Sequence, residues 1–312
     1  MKEQNRLKKF QCCIIMSLLA GLIISFYAVA DASDMKVHFV DVGQGLAILV
    51  QSEGENLLYD GGDKEGVDTL VEYLKTHDVK TINCMISSHY HPDHITGLIE
   101  CLREFDVEKV LASNYVADRS EYYEFMNLVD NRGLTVEYPQ LGEEFAFGDA
   151  QIQIIGPATI DAEKENNNSL ALKIVNGENV FIFPGDAEVL EEEAMYASGL
   201  DLNCDVLAIS HHGSDTSTTY DLLECTDPKS VVISCGENNP YGHPRLKTME
   251  KLKALNVDLY RTDKQKTIIA TSDGTQITWN KPPCQDYSAG VKPDKREEET
   301  SREVVIEEQS EK

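Results

Sequence analysis

From Met35 to Asn280, short β-rich apolar runs alternate with stretches whose apolar residues recur at helix spacing. In the first half the pattern predicts strands at Lys36–Val42, Leu46–Gln51, Asn56–Tyr59, Thr81–Ser87 and Lys109–Ala112. Val67, Leu70 and Leu74 mark one helix between them, and Ile95–Phe105 marks a second. In the second half strands are predicted near Gln151–Ile155, Leu170–Val175, Val180–Phe183, Val206–Ser210 and Val231–Cys235. Two further strands, Thr267–Thr271 and Gln276–Trp279, close the pattern, and helices fall at Ala187–Ala197, Thr219–Cys225 and Leu246–Leu255. Strand clusters whose outer faces are covered by helices predict one layered α/β domain over residues 35–280. The apolar positions from Val37 to Val50 are core, and His38 among them is expected to face solvent.

The two ends depart from this pattern. Lys2, Arg6, Lys8 and Lys9 precede an uncharged apolar stretch from Cys12 to Ala30, which ends in small-x-small sequences such as Ala28-Val29-Ala30. Residues 1–32 therefore read as a secretory signal peptide, with an uncleaved membrane anchor as the alternative. Both place the working domain outside the cytoplasmic membrane, secreted or anchored. Residues 281–312 are rich in Pro and then in Glu, with few apolar positions, and read as a disordered acidic tail.

Charge narrows the function. With 28 Lys+Arg against 54 Asp+Glu the formal net charge is −26. Such a surface repels polyanions at long range, which excludes a general nucleic-acid binder. Any phosphate chemistry has to rest on a local site. The cysteines outside the N-terminal segment show no C-x-x-C spacing, and a chain of 312 residues needs no staples, so they read as buried thiols, with one or two disulfides in an oxidising compartment as the alternative.

The chemistry is concentrated in Ser88-His89-Tyr90-His91-Pro92-Asp93-His94, between a predicted strand and a helix expected to begin just after His94. His89 and His91 are two apart in an extended stretch, so their imidazoles share a side. Asp93 and His94 turn into the helix start and face a second point. Imidazole nitrogen and carboxylate oxygen suit Zn²⁺ or Mn²⁺. Three of the chain's eight histidines and an aspartate within six residues make a metal loop the better reading.

That H-x-H-x-D-H pattern resembles the signature of the metallo-β-lactamase superfamily, and the resemblance implies a four-layer αββα sandwich binding one or two metals. Val40-Asp41-Val42-Gly43-Gln44-Gly45, Ser210-His211-His212-Gly213-Ser214 and Tyr241-Gly242-His243-Pro244 are similar, in combination, to the metallo-hydrolase domain of ComEC-family competence proteins. By this resemblance His89 and His91 match ligands of a first metal, Asp93 and His94 ligands of a second, and Asp186 the carboxylate bridging both. His212 matches the last ligand of the second metal, with His211 beside it, although two adjacent histidines leave the choice open. Asp60 matches the buried aspartate that braces the metal loop. The usual third-motif histidine is missing, and its place falls in Asn166-Asn167-Asn168, which leaves the first metal one ligand short. Arg245 stands where the branch often has a second histidine, either to clamp a phosphate or simply to start a helix.

Two divalent ions sharing Asp186 are expected to acidify a bridging water. Asp93, His211 and His243 are the candidates for direct catalytic roles, with His243 either a proton donor to the leaving group or a turn residue. The resemblance implies a phosphodiesterase acting on small or envelope-derived phosphodiesters and on DNA only weakly. Cleavage of a C–N or C–O bond, as in β-lactams and lactones, is the enzymatic alternative, and a non-catalytic metal-binding module is the other. No protein partner is expected, and the membrane is met only through an uncleaved N-terminal segment.

Overall fold

A computed structural model of the chain describes residues 34–293, so the N-terminal segment 1–32 and the tail from 294 lie outside the described residues. Almost every predicted element appears. One sheet has eight strands in the order Ile277–Trp279, Ile268–Ser272, Met35–Phe39, Ile48–Ser52, Glu55–Tyr59, Cys84–Ser87, Val110–Ala112 and Val136–Glu137. The other has seven, in the order Asp258–Arg261, Ser230–Ile233, Val206–Ala208, Asn179–Phe183, Ala171–Asn176, Ala150–Gly156 and Glu144–Phe147. Among the described residues no helix is long and apolar enough to cross a membrane.

Side-chain alternation explains the layering. Val37, Phe39, Ile48, Val50, Leu57, Tyr59 and Ile86 point from the first sheet into a core shared with Ile152, Ile154, Leu172, Ile174, Phe181 and Phe183 of the second. The residues between them point outward: Leu49, Leu58 and Met85 pack with Leu70, Leu74, Leu98 and Phe125 of helices Val67–Thr76, Pro92–Glu104 and Ser120–Asn131. On the far side Ala171, Ile182, Leu207, Val231 and Leu259 pack with Met195 of helix Val189–Ala197 and with Met249 and Leu252 of helix Leu246–Leu255. Strands buried on both faces read as unbroken apolar runs, as here. The result is an αββα sandwich. In each sheet one half is parallel, and loops from the carboxyl ends of those strands carry the chemistry.

The structure corrects several expectations. His38 is buried, because its strand has a helix on its outer face where solvent was expected. Its Nδ1 lies 2.8 Å from the Tyr73 hydroxyl, and its ring is edge-on to His77. Helix Pro92–Glu104 begins at Pro92, whose fixed φ suits a first helical position, so Asp93 and His94 lie in its first turn. Helix Ser120–Asn131 was not predicted, though Tyr122, Phe125 and Val129 form its buried stripe. Residues 281–293 pack on the domain: Arg261 donates to the carbonyls of Asp286 and Ser288, and Cys284 is buried. The disordered tail therefore cannot begin at 281. Arg261 is itself fully buried against Asp263, and the segment supplies the acceptors its remaining N–H groups need. The six described cysteines are free, and Cys225 alone among them is exposed.

Burial, then the neighbouring His77 and Lys36, holds His38 down at about 3. The folded state thus refuses a proton that the unfolded chain takes up below its ordinary value of 6.5. Stability from this residue is whole above that pH and is lost as pH falls toward 3. His38→Gln should therefore lose less stability than the parent between about pH 7 and pH 4.5, by on the order of 2 kcal/mol. Urea midpoints at the two pH values test this, and equal acid sensitivity of the two proteins would contradict it.

Candidate metal centre

Four loops converge at the seam between the sheets. Strand Glu55–Tyr59 ends in Asp60, and strand Cys84–Ser87 runs into the Ser88–His94 loop. Asn179–Phe183 ends in Pro184-Gly185-Asp186, and Val206–Ala208 runs into Ser210–Gly213. Asp60 is completely buried. Its Oδ1 accepts from the Ser88 amide at 2.7 Å, while Oδ2 accepts from the Ser88 hydroxyl at 2.7 Å and from His94 Nδ1 at 2.8 Å. Donation through Nδ1 leaves His94 Nε2 with its lone pair facing Asp186, whose Oδ2 is 3.3 Å away. A close backbone contact locks this arrangement. A Cβ on Gly97 would sit 1.9 Å from the Gly61 carbonyl oxygen, so the helix carrying His94 can lie directly on the Asp60 loop.

His211 and His212 both adopt left-handed backbone angles, φ 51° and 55°, which non-glycine residues rarely hold without a compensating fold around them. This turn brings both rings to Asp186, with Nε2 at 3.7 Å for His211 and 3.6 Å for His212. They are not equivalent. His212 Nδ1 donates to the Ser234 carbonyl at 2.9 Å, which presents Nε2 to Asp93 at 3.3 Å. His211 is partly exposed, with Nδ1 3.3 Å from the Thr216 hydroxyl and Nε2 3.5 Å from Asn166 Nδ2.

Two ligand groups result: His89, His94 and Asp186 form one, and Asp93, His94 and His212 the other, each with its donor atoms within 4.8 Å. His91 belongs to neither. Its Nδ1 is 3.0 Å from His89 Nε2, and its Nε2 is 4.0 Å from Glu165. Whether a cation fits is decided by the unpaired atoms. His94 Nε2, His212 Nε2 and Asp186 Oδ1 are buried with no hydrogen-bond partner, an arrangement that costs about 1–3 kcal/mol per group unless something fills it. Burial would neutralise Asp186, yet His94, His212 and His211 hold its carboxyl well below the usual range. Burial likewise opposes charge on His94 and His212, but it is outweighed, chiefly by Asp186 in both, and their pKa values are raised. A field that draws protons onto two buried imidazoles draws a divalent cation equally well, and a cation must displace those protons. The donor set fits transition-metal ions.

Above these atoms lies a cavity of 280 Å³ lined by Gln44, His91, Arg119, Asn166, Tyr241 and His243 together with the ligand residues. A larger cleft of 380 Å³ around Ser113 and Leu170 carries no ionisable side chain, so volume alone would point to the wrong place. His243 is buried with Nδ1 unpaired, its ring 5.6 Å from that of His211 and stacked on Tyr241. Arg245 is outside the cavity wall. It stands at the N-cap position of helix Leu246–Leu255, donates to the Tyr241 carbonyl at 3.0 Å and lies 3.8 Å from Asp215, so it is a helix-start residue here. Sequence reasoning passed over Arg119, Glu165 and Gln44 as site residues. Gln44 Nε2 reaches Asp93 at 3.4 Å, and its place in the Val40–Gly45 segment was the signal for it.

The family profile described as "Metallo-beta-lactamase superfamily" matches residues 40–237. The chain belongs to the metallo-β-lactamase superfamily. Within it, the chain is similar to ComEC-family competence proteins. It is 26% identical over 275 residues to ComE operon protein 3 of Bacillus subtilis, covering 82% of this chain and 35% of that protein. It is 28% identical over 249 residues to Competence protein ComA of Neisseria gonorrhoeae, covering 79% and 33%. The chain thus spans about a third of the length of the curated relatives it matches. Among solved structures, the metallo-beta-lactamase fold protein YhfI of Bacillus subtilis superposes with a TM-score of 0.54 at 13% identity, covering 76% of this chain and 100% of that one. Igni18, a metallo hydrolase of Ignicoccus hospitalis, gives 0.51 at 15% identity, covering 76% and 98%. CmlA, a diiron beta-hydroxylase of Streptomyces venezuelae, gives 0.51 at 13%, covering 74% and 53%. These likenesses show the superfamily's fold, which binds divalent metals, and they leave the reaction open.

Removing the brace without touching a ligand tests the centre. Asp60→Ala should weaken metal affinity about 10–100-fold, the usual effect of losing the partner that orients a ligand imidazole. Calorimetric titration of apoprotein reads it, and unchanged affinity would mean that His94 needs no brace.

Proposed function

We propose that this metallo-hydrolase-fold chain is an exported metal-dependent phosphodiesterase. The observation carrying the reading is the pair of buried ligand groups meeting at His94 beneath a cavity walled by neutral polar and basic side chains. His94 Nε2 can serve only one ion, so His89 and Asp186, with His91 alongside, would hold one and Asp93, His94 and His212 the other, with Asp186 within reach of both. Divalent cations in such a place supply acidification of water and neutralisation of developing negative charge. Phosphodiesters as the substrate class come from the relatives, which are named as competence proteins and, in Haemophilus influenzae, as Recombination protein 2. Export is supported by the basic and then apolar N-terminal sequence. The net charge of −26 favours small substrates over long polyanions.

The chain's own residues divide the remaining work. Asp186, ionised and reached from four imidazoles, fixes the spacing of the ligand groups. His211 faces the cavity from the rim, 3.7 Å from Asp186, where it can meet an oxygen of the substrate. Burial, and then His212 and His211, hold His243 down at about 3. At neutral pH it is therefore the uncharged ring, which suits donating a hydrogen bond to a developing oxyanion and does not suit protonating a leaving group.

A turnover screen with bis-p-nitrophenyl phosphate, nitrocefin and single-stranded DNA, each with Zn²⁺ and Mn²⁺, tests the reading. Small diesters should turn over and DNA should be cut weakly, while turnover of nitrocefin or a lactone alone would replace the phosphodiester reading. Asp186→Ala should lose at least ~10²-fold in rate. His243→Ala should keep its metal and lose about 10²-fold on p-nitrophenolate and alkoxide leaving groups alike. A loss confined to the poor alkoxide would restore His243 as a proton donor.

A further inference from the structure

Among the described residues, Arg119 is the one lysine or arginine lining the cavity over the ligand groups. It stands at the end of the loop that follows strand Val110–Ala112, one residue before helix Ser120–Asn131. That loop is tied to the ligand loop at two points. The Tyr90 hydroxyl donates to the Ser113 carbonyl at 2.9 Å, and the Tyr90 amide donates to the Tyr115 hydroxyl at 3.0 Å. Tyr90 lies between His89 and His91, so the position of Arg119 is set by the same loop that sets the ligands. The guanidinium is held from one side only. Nη2 donates to Glu165 Oε1 at 2.5 Å, while Nε is buried with no partner in the chain. A buried N–H left unsatisfied is costly, and a planar fork with one arm anchored is suited to grip an oxyanion with the other.

On this geometry, and resting on the phosphodiester reading above, we propose that Arg119 binds the anionic oxygen of the substrate and so selects charged esters over neutral ones. Glu165 is its positioning partner. This carboxylate holds Nη2, receives the Tyr115 hydroxyl at 3.4 Å and lies 4.0 Å from His91 Nε2. It opens the turn Glu165–Asn168, directly before the asparagines that stand where the usual third-motif histidine is missing. In this chain that segment thus serves the substrate-facing wall. Arg245, for which the sequence left a phosphate clamp and a helix start open, is committed to Tyr241 and faces Asp215.

The test compares metal-loaded wild type with Arg119→Met, which keeps the length and removes the charge, and Arg119→Lys, which keeps the charge and removes the fork. Metal content should be the same in all three. With bis-p-nitrophenyl phosphate, an anionic diester, kcat/KM should fall ~10²-fold in Arg119→Met and less in Arg119→Lys. With diethyl p-nitrophenyl phosphate, a neutral triester, it should change by less than about threefold. Inorganic phosphate titrated calorimetrically should bind at least ~10-fold more weakly to Arg119→Met. Equal losses on diester and triester would make Arg119 a structural prop and overturn the proposal. Absence of diester turnover in wild type would remove the phosphodiesterase reading while the phosphate titration still decides Arg119. Wild type and Arg119→Met binding phosphate alike, or neither binding it, overturns it.

Discussion

A carboxylate with no exposure to solvent organises this site. Asp60 has to be charge-compensated where it stands, because a buried carboxylate without donors is too costly to keep. It finds its donors in the Ser88 amide, the Ser88 hydroxyl and His94 Nδ1. Those bonds pin the end of one strand, the start of the ligand loop and the first turn of a helix to a single point. The tautomer of His94 follows from them, and so does the direction of its free nitrogen. His94 belongs to both ligand groups, so the orientation set by Asp60 reaches the whole centre.

The other half of the centre belongs to the second sheet. Asp186 and His212 end strands that lie across the shared core from Asp60 and His94, and Tyr59 links the halves by donating from its buried hydroxyl to the Leu170 carbonyl at 2.9 Å. Cations held between His89 and His94 on one side and Asp186 and His212 on the other would cross-link the two sheets. Metal binding and the packing of the sandwich are therefore thermodynamically coupled. The strained turn at His211 and His212 fits this picture, since two left-handed residues in succession persist only where surrounding contacts compensate for them.

Much of this was legible in the residues themselves. Alternation and helix spacing located nearly every strand and helix, because each faces a core that a periodic pattern can report. The candidate ligands stood out because His89, Asp93 and His94 are close in sequence, whereas His91, equally close, falls outside both groups. What escaped depends on neighbours remote along the chain. His38 looked solvent-facing until a helix nearly thirty residues later was found covering its strand, with Tyr73 as its partner. Residues 281–293 looked too polar to order because their anchor, Arg261, is a buried cation that needs carbonyl acceptors, a demand no local composition reveals. Arg119 carried no motif at all. Arg245 had the right chemistry and the right neighbours in sequence, but its own helix start used it.

The ligand groups alone do not choose the reaction. Structures sharing this fold include a diiron beta-hydroxylase and a metallo hydrolase, so the fold by itself does not fix the reaction. The net charge of −26 does not choose either, because screening confines it to roughly 8 Å in physiological salt and the cavity is governed by what lines it. What remains is the wall: an uncharged His243, a partly exposed His211, the amide of Asn166 and the half-anchored guanidinium of Arg119. His243 and Asn166 carry no charge and Arg119 is cationic, set over a floor whose carboxylates are compensated by imidazoles. An anion can approach such a wall without meeting an uncompensated carboxylate there. On the phosphodiester reading proposed above, the net charge would add only a short-range penalty against long polyanions that run across the surface.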